Sequence, residues 1–137
     1  MSNERRLRVR DAMQTDFDVI DGMKNVAEAL EAMRARDSSA AIVERKNEDD
    51  EYGLLLISDV ARHVIGPDRN PERVNIYEIM AKPVLSVHPD MQIKYCARLL
   101  QQFDLTRAPV IENRTAVGIV SFDDLVFNGL LGGESRR

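Results

Sequence analysis

The apolar residues of this chain follow two kinds of spacing, and both recur in the same order in its two halves. Val26, Ala29, Leu30 and Met33 fit the i, i+3, i+4, i+7 pattern of one helix face. Ile93, Cys96, Ala97 and Leu100 repeat that stripe 67 positions later. The same offset relates Val9–Met13 to Ile76–Met80 and Phe17–Ile20 to Val84–Val87. A one-residue shift then pairs Ala40–Glu44 with Ala108–Glu112. After a loop three residues longer in the first copy, Gly53–Asp59 aligns with Gly118–Asp124.

Each copy therefore reads as a short lead helix, a strand, a longer helix, two strands and a last helix. The first copy predicts helices near 9–13, 25–35 and 58–65 and strands near 17–20, 40–44 and 53–57. The second predicts helices near 76–80, 91–103 and 122–131 and strands near 84–87, 107–111 and 116–120. Gly66-Pro67-Asp68-Arg69-Asn70-Pro71 cannot continue a helix or a central strand and reads as a linker. The expected organisation is one β-α-β-β-α repeat over 7–66, a linker over 67–75 and a second repeat over 76–131. The fold class is α/β (α+β).

A unit of about 60 residues buries too little surface to be stable alone, and two copies solve this together. If both helices of a unit cover one face of its sheet, the other face, with Leu55, Val110 and Val120, needs a partner. The expectation is two repeats packed sheet to sheet with pseudo-two-fold symmetry.

Composition narrows the class. The chain has 137 residues, of which 44% are apolar and 31% charged, as in an ordinary globular domain. Its net charge of −4, with basic residues scattered among acidic ones, argues against a nucleic-acid partner. Gly53-Leu54-Leu55-Leu56-Ile57 is far shorter than the ~20 residues of a membrane span. The N-terminus lacks the apolar core of a secretory signal, so a cytoplasmic location is expected. The single cysteine, Cys96, excludes an internal disulfide and a multi-cysteine zinc site.

The paired element order, Met13 and Met80 closing the lead helices, Arg107-Ala108-Pro109-Val110-Ile111, and Gly118-Ile119-Val120-Ser121-Phe122-Asp123-Asp124 together resemble the CBS domain pair, or Bateman module. The resemblance covers roughly residues 7–131 and implies a regulatory module. It further implies an adenosyl ligand (AMP, ADP, ATP or S-adenosylmethionine) bound in clefts between the repeats.

The chemistry of the motif is consistent with such a ligand. A glycine lets a backbone approach closely, and a hydroxyl with N–H groups at a helix start suits phosphate. A carboxylate can accept hydrogen bonds from both hydroxyls of a ribose. The resemblance implies the ribose role for Asp124 and the phosphate side for Ser121, beside Gly118 and Ile119. Ser121-x-x-Asp124 is equally a capping box for the helix it starts, and the two roles can coexist.

The first copy keeps Gly53 and Asp59 but places Leu56 where the hydroxyl belongs. The resemblance implies a phosphate contact from the partner repeat at the position of Arg107, whose first-copy counterpart in this alignment is Ser39; an ordinary surface cation is the competing reading. The expected clefts are thus Asp59 with Arg107 in one, and Ser121 and Asp124 with Ser38 and Ser39 in the other. Base contacts are carried over from the resemblance to Lys82, Pro83, Val84, Leu105 and Thr106.

Other chemistry finds little support. His63 and His88 lack ligand-spaced neighbours, no Gly-x-Ser-x-Gly elbow is present, and Cys96 lies in an apolar stripe where a thiol is inert. No metal, no catalytic cofactor and no enzymatic activity are expected. The alternative function is a ligand-independent dimerisation or docking module. In the 91–103 helix a second stripe of Met91, Tyr95 and Leu99 predicts a homodimer that buries Tyr95 and Leu99.

Overall fold

The computed structural model describes residues 6–82 and 85–131. Its elements are α1 (Val9–Ala12), β1 (Val19–Ile20), α2 (Val26–Ala35), β2 (Ala40–Val43), β3 (Gly53–Leu56), α3 (Ile57–Val60), α4 (Ile76–Ile79), α5 (Ile93–Gln102), β4 (Arg107–Glu112) and β5 (Thr115–Ser121). α3 widens into a π turn over Ala61–Ile65, and Pro71–Arg73 forms a 3-10 turn. The last helix, Asp124–Leu131, is a π-helix where an ordinary α-helix was expected. Gly129 in this helix lets Ile93 and Ala12 approach; a Cβ there would lie 3.0 Å from Ile93 Cδ1 and 3.6 Å from Ala12 Cβ.

The chain packs as two units that cut across the sequence repeats: residues 17–83 form one, and 1–16 with 84–137 form the other. Each repeat therefore lends its lead helix to the unit that holds the rest of the other repeat. In the unit of residues 17–83, backbone bonds from Val26 N–H to Val74 O (2.8 Å) and from Ile76 N–H to Lys24 O (2.9 Å) fix α4 beside the start of α2. In the other unit, Val9 N–H to Met91 O (2.8 Å) and Ile93 N–H to Leu7 O (3.0 Å) do the same for α1 and α5.

In the unit of residues 17–83 the sheet order is β1-β2-β3, with β1 parallel to β2 and β2 antiparallel to β3. Asn25 opens α2 with a reciprocal cap: its side chain accepts the Glu28 N–H (2.9 Å), and Glu28 accepts the Asn25 N–H (3.1 Å). Val26, Ala29 and Met33 face a core completed by Ala41, Val43, Leu55, Val74, Ile76 and Ile79. The helix ends at Asp37, whose φ of 56° is left-handed, and Ser38 N–H closes the turn on Met33 O at 2.8 Å. Asp104 repeats this after α5, with φ 56° and Leu105 N–H on Leu100 O at 2.8 Å.

In the other unit β4 and β5 form an antiparallel pair. Their two-residue hairpin puts both Asn113 (φ 53°) and Arg114 (φ 64°) in the left-handed region, the twist that suits tightly joined strands. The strand expected at 84–87 is reduced to one parallel bridge, Val87 with Val110; Pro83 and Val84 lie outside the described residues.

Two expectations need correction. The registers Ala40↔Leu56 and Arg107↔Ser121 make Ala40 the counterpart of Arg107, so the 67-residue offset runs through this strand without a shift. The adjacent alanines Ala40 and Ala41 left that shift undetermined in the sequence. Leu55, Val110 and Val120 also face the helices of their own units rather than the opposite face: Val110 and Val120 pack with Cys96, Leu100 and Leu125, and Leu55 with α2. Strand alternation was assigned to the wrong side because the opposite face, with Ile42, Leu54 and Ile119, is buried as well.

Candidate functional site

The most built polar cluster lies where β5 meets the C-terminal π-helix. Ser121 ends the strand, and its N–H and Oγ–H both donate to Asp124 Oδ2 (2.9 and 3.0 Å), while Asp124 N–H donates to Ser121 Oγ (3.2 Å). The capping box read from sequence is therefore complete. Both residues are buried. The other carboxylate oxygen, Oδ1, accepts the amide of Gln14 at 2.8 Å and that of Asn128 at 3.5 Å. Gln14 follows α1 and pairs with Ile119 through two backbone bonds, Gln14 N–H to Ile119 O (2.8 Å) and the reverse (3.0 Å). One buried carboxylate thus joins a residue of the first repeat to the motif of the second, inside one packing unit.

Gly118 serves this arrangement directly. A Cβ there would lie 2.8 Å from Met13 Sδ and 2.9 Å from Gln14 O. The lead-helix methionine and the chain after it occupy the space that the absent side chain leaves. Gly53 does the same for Met80, with 2.7 Å to its Sδ. Sequence reasoning treated the methionines and glycines as separate signatures; in the structure each pair is one contact.

Of the remaining residues singled out from sequence, Leu105, Thr106 and Arg107 lie in the same unit as Asp124. Thr106 O accepts Phe122 N–H (3.2 Å), and Arg107 stands opposite Ser121 in the strand register. Ser38, Ser39 and Lys82 lie in the unit of residues 17–83 instead. There Ser38 Oγ donates to Ala40 O (2.7 Å), Ser39 O accepts Ile57 N–H (3.0 Å), and Lys82 is paired with Asp50 Oδ1 (2.6 Å). Lys82 holds the Asp50 carboxyl well below its ordinary value through that hydrogen bond. Asp59, also buried, accepts Leu56 N–H at 3.0 Å, so the first repeat retains only the carboxylate half of the cap.

Two features were missed in the sequence. Gln14 carries no motif signal, since only the fold after α1 brings its amide to Asp124. His88, Asp90 and Glu112 place possible ligand atoms within 4.8 Å of one another. Arg10 already binds both carboxylates, at 2.9 Å to Asp90 and 3.2 Å to Glu112, and lowers the Asp90 pKa through that hydrogen bond. Cys96 is buried, and burial pushes its thiol up to about 11. Among the described residues no helix is long and apolar enough to cross a membrane.

Comparison with known proteins places these features in context. The CBS domain family model matches residues 9–66 and 76–129. An uncharacterized protein of Methanopyrus kandleri is 29% identical over 111 residues, 80% of this chain; the chain spans only 57% of that relative's length. The solved hexameric CBS-CP12 protein from bloom-forming cyanobacteria is 34% identical, with a TM-score of 0.87 over 96% of this chain and 76% of that one. The CBS domain pair of protein MJ0100, solved with methylthioadenosine and S-adenosyl-L-methionine, shares the fold at 20% identity, with a TM-score of 0.76 over 93% of this chain and 97% of that one.

Proposed function

Because the chain belongs to the CBS domain family and carries a tandem pair of these domains, we propose that it is a regulatory module that senses an adenosyl ligand, AMP, ADP, ATP or S-adenosylmethionine, at the Gly118–Asp124 turn. The observation that carries this reading is the Asp124 carboxylate, buried at a strand-to-helix junction with Oδ1 held by exchangeable side-chain amides. Ribose hydroxyls can replace amide donors on such an oxygen. Ser121 Oγ stands at the same helix start, on the phosphate side, with Ile119 two residues before it and Leu105-Thr106 held next to it by the Phe122 N–H bond to Thr106 O. The adenosyl compounds bound by the MJ0100 pair support the ligand class. Gly53 and Asp59 are proposed for a weaker second site, because Leu56 supplies no hydroxyl.

One observation favours the ligand-independent alternative: Asp124 already receives four protein donors. Thermal-shift screening against AMP, ADP, ATP, S-adenosylmethionine and guanine nucleotides separates the two, since a ligand of the native state must raise its stability. Asp124→Asn should then weaken calorimetric binding of the best ligand by about tenfold or more, and Asp59→Asn should matter less. No shift with any compound would leave the docking module as the function.

Self-association belongs to the same proposal. Phe127 and Leu130 on the π-helix are 61% and 67% exposed, beside Val126 and Leu131. Tyr95, expected at a homodimer interface, is flanked by Lys94 and Arg98 at 5.1 and 5.5 Å from its ring, and Leu99 is half-buried. The π-helix face is therefore the stronger interface.

A further inference from the structure

A cavity of about 540 Å³ opens within the unit of residues 17–83, at the sheet end opposite Asp59. Topology fixes this placement. β1 and β2 run parallel and end there at Ile20 and Val43, while antiparallel β3 begins there at Gly53 and runs away toward Leu56 and Asp59. The volume lies in the range of small-molecule sites.

Its apolar lining includes Val19, Met23, Tyr77 and Met80. Met23 and Tyr77 remain 64% and 47% exposed, so large apolar side chains converge on a concavity without covering one another. The rim carries three carboxylates, Asp21, Glu44 and Asp50, and three cations, Arg45, Lys46 and Lys82. Lys82 and Asp50 form an ion pair, at 2.6 Å. Asp21 Oδ1 accepts Met23 N–H (2.9 Å) and Glu44 Oε1 accepts Arg45 N–H (3.0 Å), which leaves each carboxylate a second oxygen. The Lys46 ammonium has no ion-pair partner among the described residues.

This charge balance decides the ligand class. A polyphosphate would meet three carboxylates, and a polyamine three cations, so either pays like-charge repulsion. A molecule with one positive and one negative group on an apolar body meets a partner for each. We propose that this cavity binds a small zwitterion with an apolar side chain, the chemistry of a neutral α-amino acid. The ammonium is recognised by Asp21 and Glu44, the carboxylate by Lys46, and the side chain by Met23, Met80 and Tyr77. The site is independent of the adenosyl reading.

The test is calorimetric titration of the full chain with L-phenylalanine and L-methionine, alongside 3-phenylpropionate and phenethylamine, which each lack one charge. At least one amino acid should bind, with both single-charge analogues about tenfold weaker. Lys46→Met and Glu44→Gln, both on the surface, should each weaken it about five- to tenfold, and Asp124→Asn should leave it unchanged. Absence of binding by both amino acids, equal binding by an analogue, or indifference to both rim variants would overturn the proposal. So would a Tyr77→Ala variant that changes the association state of a protein that binds neither amino acid, because a second copy would then occupy the cavity.

Discussion

Gln14 offers the sharpest test of how the Asp124 site works. Its amide donates to Asp124 Oδ1 at 2.8 Å in a half-buried setting, so a ligand hydroxyl that bonds this oxygen competes with it for a lone pair. A hydrogen bond to a charged group contributes about 1.5–3 kcal/mol, and partial exposure puts this one near the lower end. Gln14→Leu removes the donor while the two backbone bonds to Ile119 remain, because they do not involve the side chain. The free protein should lose about 1.5 kcal/mol of stability, since Asn128 at 3.5 Å compensates poorly. The ligand no longer competes with the amide, so its affinity should rise by a factor of about 5–10. Two readouts decide the matter: urea denaturation of the free variant, and calorimetric titration with the best adenosyl ligand. Tighter binding together with lower intrinsic stability is the expected signature. Unchanged affinity would mean that the ligand does not use Oδ1, and weaker affinity would make Gln14 a ligand contact; either result refutes the displacement argument.

The glycines of the two motifs should differ in tolerance. In Gly118→Ala the new Cβ meets the backbone oxygen of Gln14 at 2.9 Å, whereas in Gly53→Ala the clash is with the flexible end of Met80 and the nearest backbone atom is 3.4 Å away. Gly118→Ala should cost about 2–3 kcal/mol and Gly53→Ala about 1 kcal/mol less, by urea denaturation; equal losses would contradict this. Burial raises the Cys96 thiol to about 11, above its ordinary 9.0, so the folded state holds its proton longer than the unfolded one. Stability should therefore fall as pH rises from about 9 to about 11, and Cys96→Ala should remove that component of the decline. Phe127→Glu with Leu130→Glu should shift light-scattering mass to monomer if the π-helix face is the interface, while Tyr95→Glu should have the smaller effect.

The repeat, the helix faces and the strands were legible because burial writes its period into the sequence. Val26, Ala29 and Met33, and Cys96 with Leu100, are buried as their spacing requires. What the sequence hid were relations between distant segments. Nothing in Met13-Gln14 reports that this segment pairs with Ile119, and nothing in Lys82 reports its ion pair with Asp50. Consecutive small residues, Ala40-Ala41, fit either register, so only backbone pairing resolves them. π-helical winding is equally silent, because Asp124–Leu131 has the composition of any apolar helix.

The two halves agree where the fold needs them to and part at the hydroxyl that starts the last helix. Asp37 and Asp104 end equivalent helices with the same left-handed φ of 56°, and Met80 and Met13 fill the space over Gly53 and Gly118. Ser39 O and Thr106 O accept equivalent N–H groups from Ile57 and Phe122. These contacts hold helix ends, edges and strand exits, and each is needed twice. Leu56 and Ser121 occupy the same register yet differ in a hydroxyl at the helix start. The capping carboxylate survives in both, because a buried Asp59 still has Leu56 N–H to satisfy. A purely structural requirement would accept the same cap in either half; the second motif adds the Ser121 hydroxyl and the amides of Gln14 and Asn128, and the adenosyl site is proposed there because a ligand hydroxyl can exchange with those donors.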